Sequence, residues 1–150
     1  MTHKRDLCKA IDTSLRPVGF TKKGSSWVLD GRDTIVEVYT DKKTYENVYR
    51  ICVAIWIREL RNPDDPYPKP PHFDLSLGGI LTEDRDAIRE ACSLDQSDQA
   101  ALSRLSEILE GRLAPLAQEL VTIDGLRKHF LSGQLTGGLV RGEARALLSG

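Results

Sequence analysis

His72 and Asp74 have the spacing of an acid–base or metal pair, two apart in a stretch of alternating apolar residues. Side chains two apart on a strand leave the same face. Imidazole and carboxylate would then project together, as a proton relay or two metal ligands require. The bland alternative is a solvated strand face. His3 and His129 fall in other segments.

Other chemistry is sparse. Gly78-Gly79 and Gly137-Gly138 lack the Lys-Ser/Thr that completes a phosphate-cradling P-loop. No G-x-S-x-G nucleophile elbow occurs. Cys8, Cys52 and Cys92 are odd in number and widely spaced, and no C-x-x-C supports a zinc ribbon or a thioredoxin-type site. Cys52 lies in an apolar run and reads as a small buried hydrophobe. No cofactor or metal is therefore expected, and cysteine usage fits a reducing cytoplasm.

Lys22-Lys23 and Lys42-Lys43 each flank a strand-like segment and could meet at one sheet end, offering phosphate or RNA a contact. Ordinary edge and loop lysines are the simpler reading. The formal net charge is −1, from 21 basic and 22 acidic residues, so no global field attracts nucleic acid or an anionic membrane.

The aromatic residues carry more. Trp27, Tyr39, Tyr45, Tyr49 and Trp56 lie on or beside predicted strands, and Trp, Tyr and Arg are the types that dominate protein interfaces. If helices cover one sheet face, the other would present Arg50 and Trp56 from the central strand, and Trp27, Tyr39 and Tyr49 complete the candidate binding residues. The alternative is that the rings are core.

The elements that must position these residues can be read from periodicity. Leu7, Ile11 and Leu15, with Cys8 beside them, make one helical stripe. Pro17 ends that helix by pushing the preceding residue out of the α region, and Phe20 plugs the gap between helix and sheet. Residues 25–29 and 34–40 form a hairpin around Asp30-Gly31, a pair that supplies positive φ cheaply. Residues 48–57 are the strongest strand. Tyr49, Ile51, Val53, Ile55 and Ile57 share one face, and Val48, Arg50, Cys52, Ala54 and Trp56 the other, so the strand is central.

Residues 61–71 hold five prolines, which cannot donate to a ladder. This predicts a stiff, partly polyproline II connector, with Pro63-x-x-Pro66 as a lesser SH3-ligand reading. Residues 72–80 resume alternation as a half-buried strand. The pattern then turns helical: a short helix from Thr82 to Ala91, a longer one capped by Ser97 or Asp98, a kink or new helix near Pro115, a helix capped by Asp124, and a terminal helix from Gly142 to Leu148. One helix, four strands, then helices imply a single α+β domain over residues 1–150. Its sheet would be mainly antiparallel, with the C-terminal helices on one face.

Leu15, Pro17, Gly19, Phe20, Lys22, Lys23, Gly24 and Trp27 form an L-x-P-x-G-F-x-K-K-G turn followed by an aromatic strand. This segment resembles the opening of the bacterial domain of unknown function 4304 family, and the two strands after it are similar in outline. The resemblance implies a mixed α and β fold and no known activity. The motif is also explained by folding, so it marks no site.

No segment resembles a signal peptide, and the longest apolar run, residues 51–57, falls short of the about 20 residues that span a bilayer. The sequence therefore points to a small cytoplasmic bacterial protein, not to a recognisable enzyme. The first reading is a non-enzymatic interaction module with an unknown protein partner, an immunity-type protein being one concrete form. The alternative is a small-ligand-binding protein or enzyme with an unrecognised site between sheet and helices.

Overall fold

A strand that is apolar on both faces must be covered on both, which places it inside a sheet. Residues 48–57 have that pattern. In the computed structural model, which describes residues 1–61, 64, 70–135 and 137–150, they form β4 (Tyr49–Ile57), between β3 (Thr34–Lys42) and β5 (Phe73–Ser76). With β1 (Thr21–Lys23), β2 (Ser26–Asp30) and β6 (Gly138–Val140), the order is β1-β2-β3-β4-β5-β6, antiparallel at every pairing.

The α+β class holds, with an N-terminal helix and C-terminal helices, but the sheet has six strands where four were expected. Both extra strands are three-residue edges. All three side chains of β1 are exposed, so no apolar period betrays it. β6 opens on Gly138 and pairs with β5, which lies far earlier in the chain.

The expected strand 72–80 is also shorter. Its second half is α2 (Leu77–Ile80), begun by Ser76, whose Oγ accepts the Gly79 N–H at 3.1 Å. Leu75 and Leu77 fit a strand and a helix entry equally well, and the cap decides between them. The proline-rich reading falls largely on residues 62, 63 and 65–69, which lie outside the described residues.

The remaining helices are α1 (Lys4–Leu15), α3 (Arg85–Cys92), α4 (Gln99–Ile108), α5 (Ala114–Leu120), α6 (Ile123–Leu131) and α7 (Gly142–Ser149). Asp98 caps α4, its Oδ1 accepting from Ala101 N at 2.8 Å. Thr122, not Asp124, caps α6, with Gly125 N 3.1 Å from its Oγ1. A wide π-helical turn, Leu109–Leu113, joins α4 to α5 and leaves Pro115 in the first turn of α5, where its missing N–H costs nothing.

Two turn mechanisms differ from expectation. Arg16, before Pro17, keeps helical angles (φ −57, ψ −43). The chain tightens into a 3-10 turn, Arg16–Val18, and Gly19 ends it at φ 105. Gly31 does not use positive φ. Glycine is needed there because a Cβ would collide with the Val121 side chain and the Thr34 carbonyl oxygen.

One face of the sheet carries the main core. Ile51, Val53, Ile55 and Ile57 of β4 pack with Leu7, Ile11 and Leu15 of α1 and with Leu105, Leu109 and Leu113. Each such burial stabilises by about 1.5–3 kcal/mol. The other face holds a smaller cluster of Val28, Ile35, Ala54 and Trp56, with Tyr39 against it. Among the described residues no helix is long and apolar enough to cross a membrane.

Candidate functional site

A cleft arises where β5 leaves the sheet early. The last β4–β5 pair is Cys52 with Ser76, and the chain then turns away into α2. β4 extends three residues further, from Ile51 to Tyr49. Its continuation, Val48, bridges to Ser93 at the end of α3 instead. The gap between these elements is a cleft of about 550 Å³, within the ordinary range for small-molecule sites.

Each wall follows from its element. α3 presents Arg85, Ile88, Arg89 and Cys92, spaced to lie on one side of a helix. β4 supplies Tyr49, Arg50 and Ile51, and the β3–β4 loop supplies Lys43 and Glu46. Ser76, Gly78, Gly79 and Gly137 form the side nearest α2. Ile51, Ile88 and Cys92 are buried and make the floor apolar. Burial pushes the Cys92 thiol up to about 12, so it packs as a neutral group and is no nucleophile. Lys4 Nζ lies 5.7 Å from the Tyr49 ring centroid and helps fix the ring.

The rim is cationic in a chain that is nearly neutral. Lys43, Arg50, Arg85 and Arg89 face one lining carboxylate, Glu46. Lys43 sits 3.9 Å from Glu46, and Arg50 Nη2 sits 3.1 Å from Asp41 Oδ2. Arg85 donates from Nε to the Gly78 carbonyl at 3.2 Å. Among the described residues neither Arg85 nor Arg89 has a carboxylate within ion-pair distance. Like charges one turn apart cost an isolated helix about 0.2–0.5 kcal/mol. Both side chains are exposed, so their guanidinium groups remain open to a ligand. Their i, i+4 spacing was legible in the sequence, but the segment was read only as a short helix from Thr82 to Ala91.

The five candidate interface residues do not share one surface. Arg50 and Tyr49 line the cleft. Trp27 is fully buried in the helix-side core, its Nε1 donating to Asp12 Oδ1 of α1 at 3.0 Å. Trp56 is 3% exposed in the smaller cluster, and Tyr39 packs against it, half-buried. Tyr45, at the tip of the β3–β4 hairpin, is 97% exposed.

That second face also holds a polar cluster. Glu37 and Asp74 flank Ala54 from opposite sides, and Tyr39 pairs with Cys52 in the next row. The Tyr39 hydroxyl donates to Asp74 Oδ1 at 2.7 Å. Burial raises the Cys52 thiol, against the opposing influence of Tyr39 and Arg50.

His72 and Asp74 do not act as the expected pair. His72 is 5% exposed, and its Nδ1 accepts the Ile57 N–H at 2.8 Å. The ring hydrogen therefore sits on Nε2, 3.6 Å from Glu143 of α7. Asp74 instead serves Tyr39. His72 satisfies a buried backbone group where a strand ladder ends, and such a group left bare is costly. His3 begins α1, its N–H donating to Asp6 Oδ2 at 2.9 Å. His129 ties α6 to Glu119 of α5 at 3.0 Å. Among the described residues no three His, Cys, Asp or Glu side chains are grouped to hold a metal ion. Of the two lysine pairs, only Lys43 reaches the cleft, and Lys22 and Lys23 lie on edge strand β1.

No family model, curated protein or solved structure matches the chain. The functional reading therefore stands on this geometry.

Proposed function

We propose that this chain binds a small anionic molecule in the cleft between β4, α2 and α3. One observation carries the reading: Arg85 and Arg89, which have no carboxylate partner among the described residues, line one cleft with the buried apolar Ile51, Ile88 and Cys92. Apolar walls with a few converging polar groups are the common form of a ligand site. Of the serine hydroxyls in the lining, Ser76 Oγ accepts the Gly79 N–H and Ser93 Oγ donates to the Arg89 carbonyl. Glu46 is exposed and paired with Lys43, and Cys92 is held neutral. The site is thus read as binding, not as catalysis.

Amide-shift mapping by NMR with a set of small anions tests this. Shifts centred on Ile51, Gly79, Ile88 and Arg89 are expected. Shifts scattered over the surface, or none in the cleft, would sink it.

A non-enzymatic interaction module, of the immunity type in one form, is the second reading. Tyr45 favours it, since an aromatic ring 97% exposed at a hairpin tip is available to a protein partner. A mapping experiment that leaves the cleft silent would leave this second reading standing. Kinship with the domain of unknown function 4304 family, proposed from residues 15–27, brings no activity to either reading.

A further inference from the structure

The charge count of the cleft points to a ligand class, and we infer a phosphate monoester of a small planar group. This rests on the cleft being the site. Among the described lining residues, Arg50 is offset by its ion-pair partner Asp41 and Lys43 by Glu46, so two positive charges of the lining remain, both on α3. A phosphate monoester carries about −1.5 to −2 at neutral pH and matches that remainder. A monocarboxylate would leave one guanidinium uncompensated.

Geometry agrees with charge. The Arg85 Nε is already taken by the Gly78 carbonyl at 3.2 Å, which orients the guanidinium and leaves its two Nη groups for a ligand. Paired N–H donors of arginine match the spacing of phosphate oxygens. The ring of Tyr49 lines the same cleft as the buried Ile88 of α3, and although Lys4 Nζ lies over the ring at 5.7 Å, an offset stack on its part open to the cleft suits a planar body.

Titration calorimetry with phenyl phosphate, inorganic phosphate and benzoate separates the parts of this inference. Phenyl phosphate should bind at least tenfold more tightly than either of the others. Arg85→Gln and Arg89→Gln should each weaken it about tenfold, the scale of one charge-assisted hydrogen bond. Arg104→Gln, on α4 and outside the cleft, should change nothing. If Arg85→Gln melts early because Gly78 loses its donor, Arg89→Gln alone carries the test.

Benzoate binding as tightly as phenyl phosphate, with both lost in Val48→Trp, overturns the dianion and leaves the cleft as the site. Inorganic phosphate binding as tightly as phenyl phosphate overturns the planar group. Phenyl phosphate binding that neither Arg89→Gln nor Val48→Trp weakens places the ligand elsewhere and overturns the cleft as well. An absence of binding heat with phenyl phosphate, confirmed at two temperatures, overturns the phosphate ester, while amide mapping still judges the cleft.

Discussion

Tyr39 and Asp74 meet across the central strand, the hydroxyl of one on β3 donating to Oδ1 of the other on β5 at 2.7 Å. The bond ties together two strands that share no ladder. Burial first, and the Asp74 bond second, raise the Tyr39 hydroxyl above the usual phenol range. The contribution of Tyr39 is therefore fully present below pH 10, its ordinary value, and is lost as pH rises through the raised one. Tyr39→Phe should lower unfolding free energy at neutral pH by about 1.5 kcal/mol, the low end for a bond to a charged group. Urea unfolding measures it, and an unchanged midpoint would show that water replaces the phenol at Asp74.

Glu37 faces the same carboxylate across Ala54. Burial, then the charge of Asp74, raise the Glu37 carboxyl, and Lys23 works against them. An acid raised in the fold contributes most below its ordinary 4.5, and that contribution is lost as pH rises through the raised value. Glu37→Gln, neutral throughout, should melt above the parent at pH near 7. The difference should shrink as pH falls towards 4.5. A variant that melts lower at neutral pH would mean that Lys23 outweighs burial.

His72 gives the opposite dependence. Burial lowers its pKa below 6.5, and Glu143 opposes the shift. The unfolded chain then binds the proton more readily. Stability from neutral His72 is complete above pH 6.5 and is lost as pH falls through the depressed value. Thermal melts from pH 7.5 to 5 should show this loss in the parent. His72→Asn should start lower and show less of the slope, and an equal slope in both would assign it to other groups.

Trp56→Ala should cost about 3–5 kcal/mol, the range for removing a large buried ring. The side chain is 3% exposed and packs with Val28, Ile35 and Ala54. Denaturant unfolding would report it. A loss under 1 kcal/mol would show that the ring contributes little to the core and return it to the candidate binding surface.

Much of the fold was legible because it follows from local rules. The two-faced apolar alternation of 48–57 made β4 central, and the Leu7, Ile11, Leu15 stripe made α1. What escaped were elements with no local signature: β1, whose side chains are all exposed, and β6, a short strand opening on glycine. The candidate site was less legible. Arg50 and Tyr49 were singled out for a sheet face, yet they line a cleft with Arg85 and Arg89. Sequence spacing cannot bring α3 and the start of β4 together.

The sequence by itself determined the α+β class, the antiparallel hairpins and the amphipathic helices, because these depend on residue types within a few positions of each other. Only the tertiary structure decided that Trp27 and Trp56 are buried on opposite faces, that His72 and Asp74 take separate partners, and where the cleft lies. The cleft exists because Ser76 caps a helix instead of extending β5, so β4 outruns its neighbour and α3 fills only part of the space. The cap itself is local, but the cleft it opens is a long-range outcome, because the β4 and α3 residues that wall it lie far apart in the sequence.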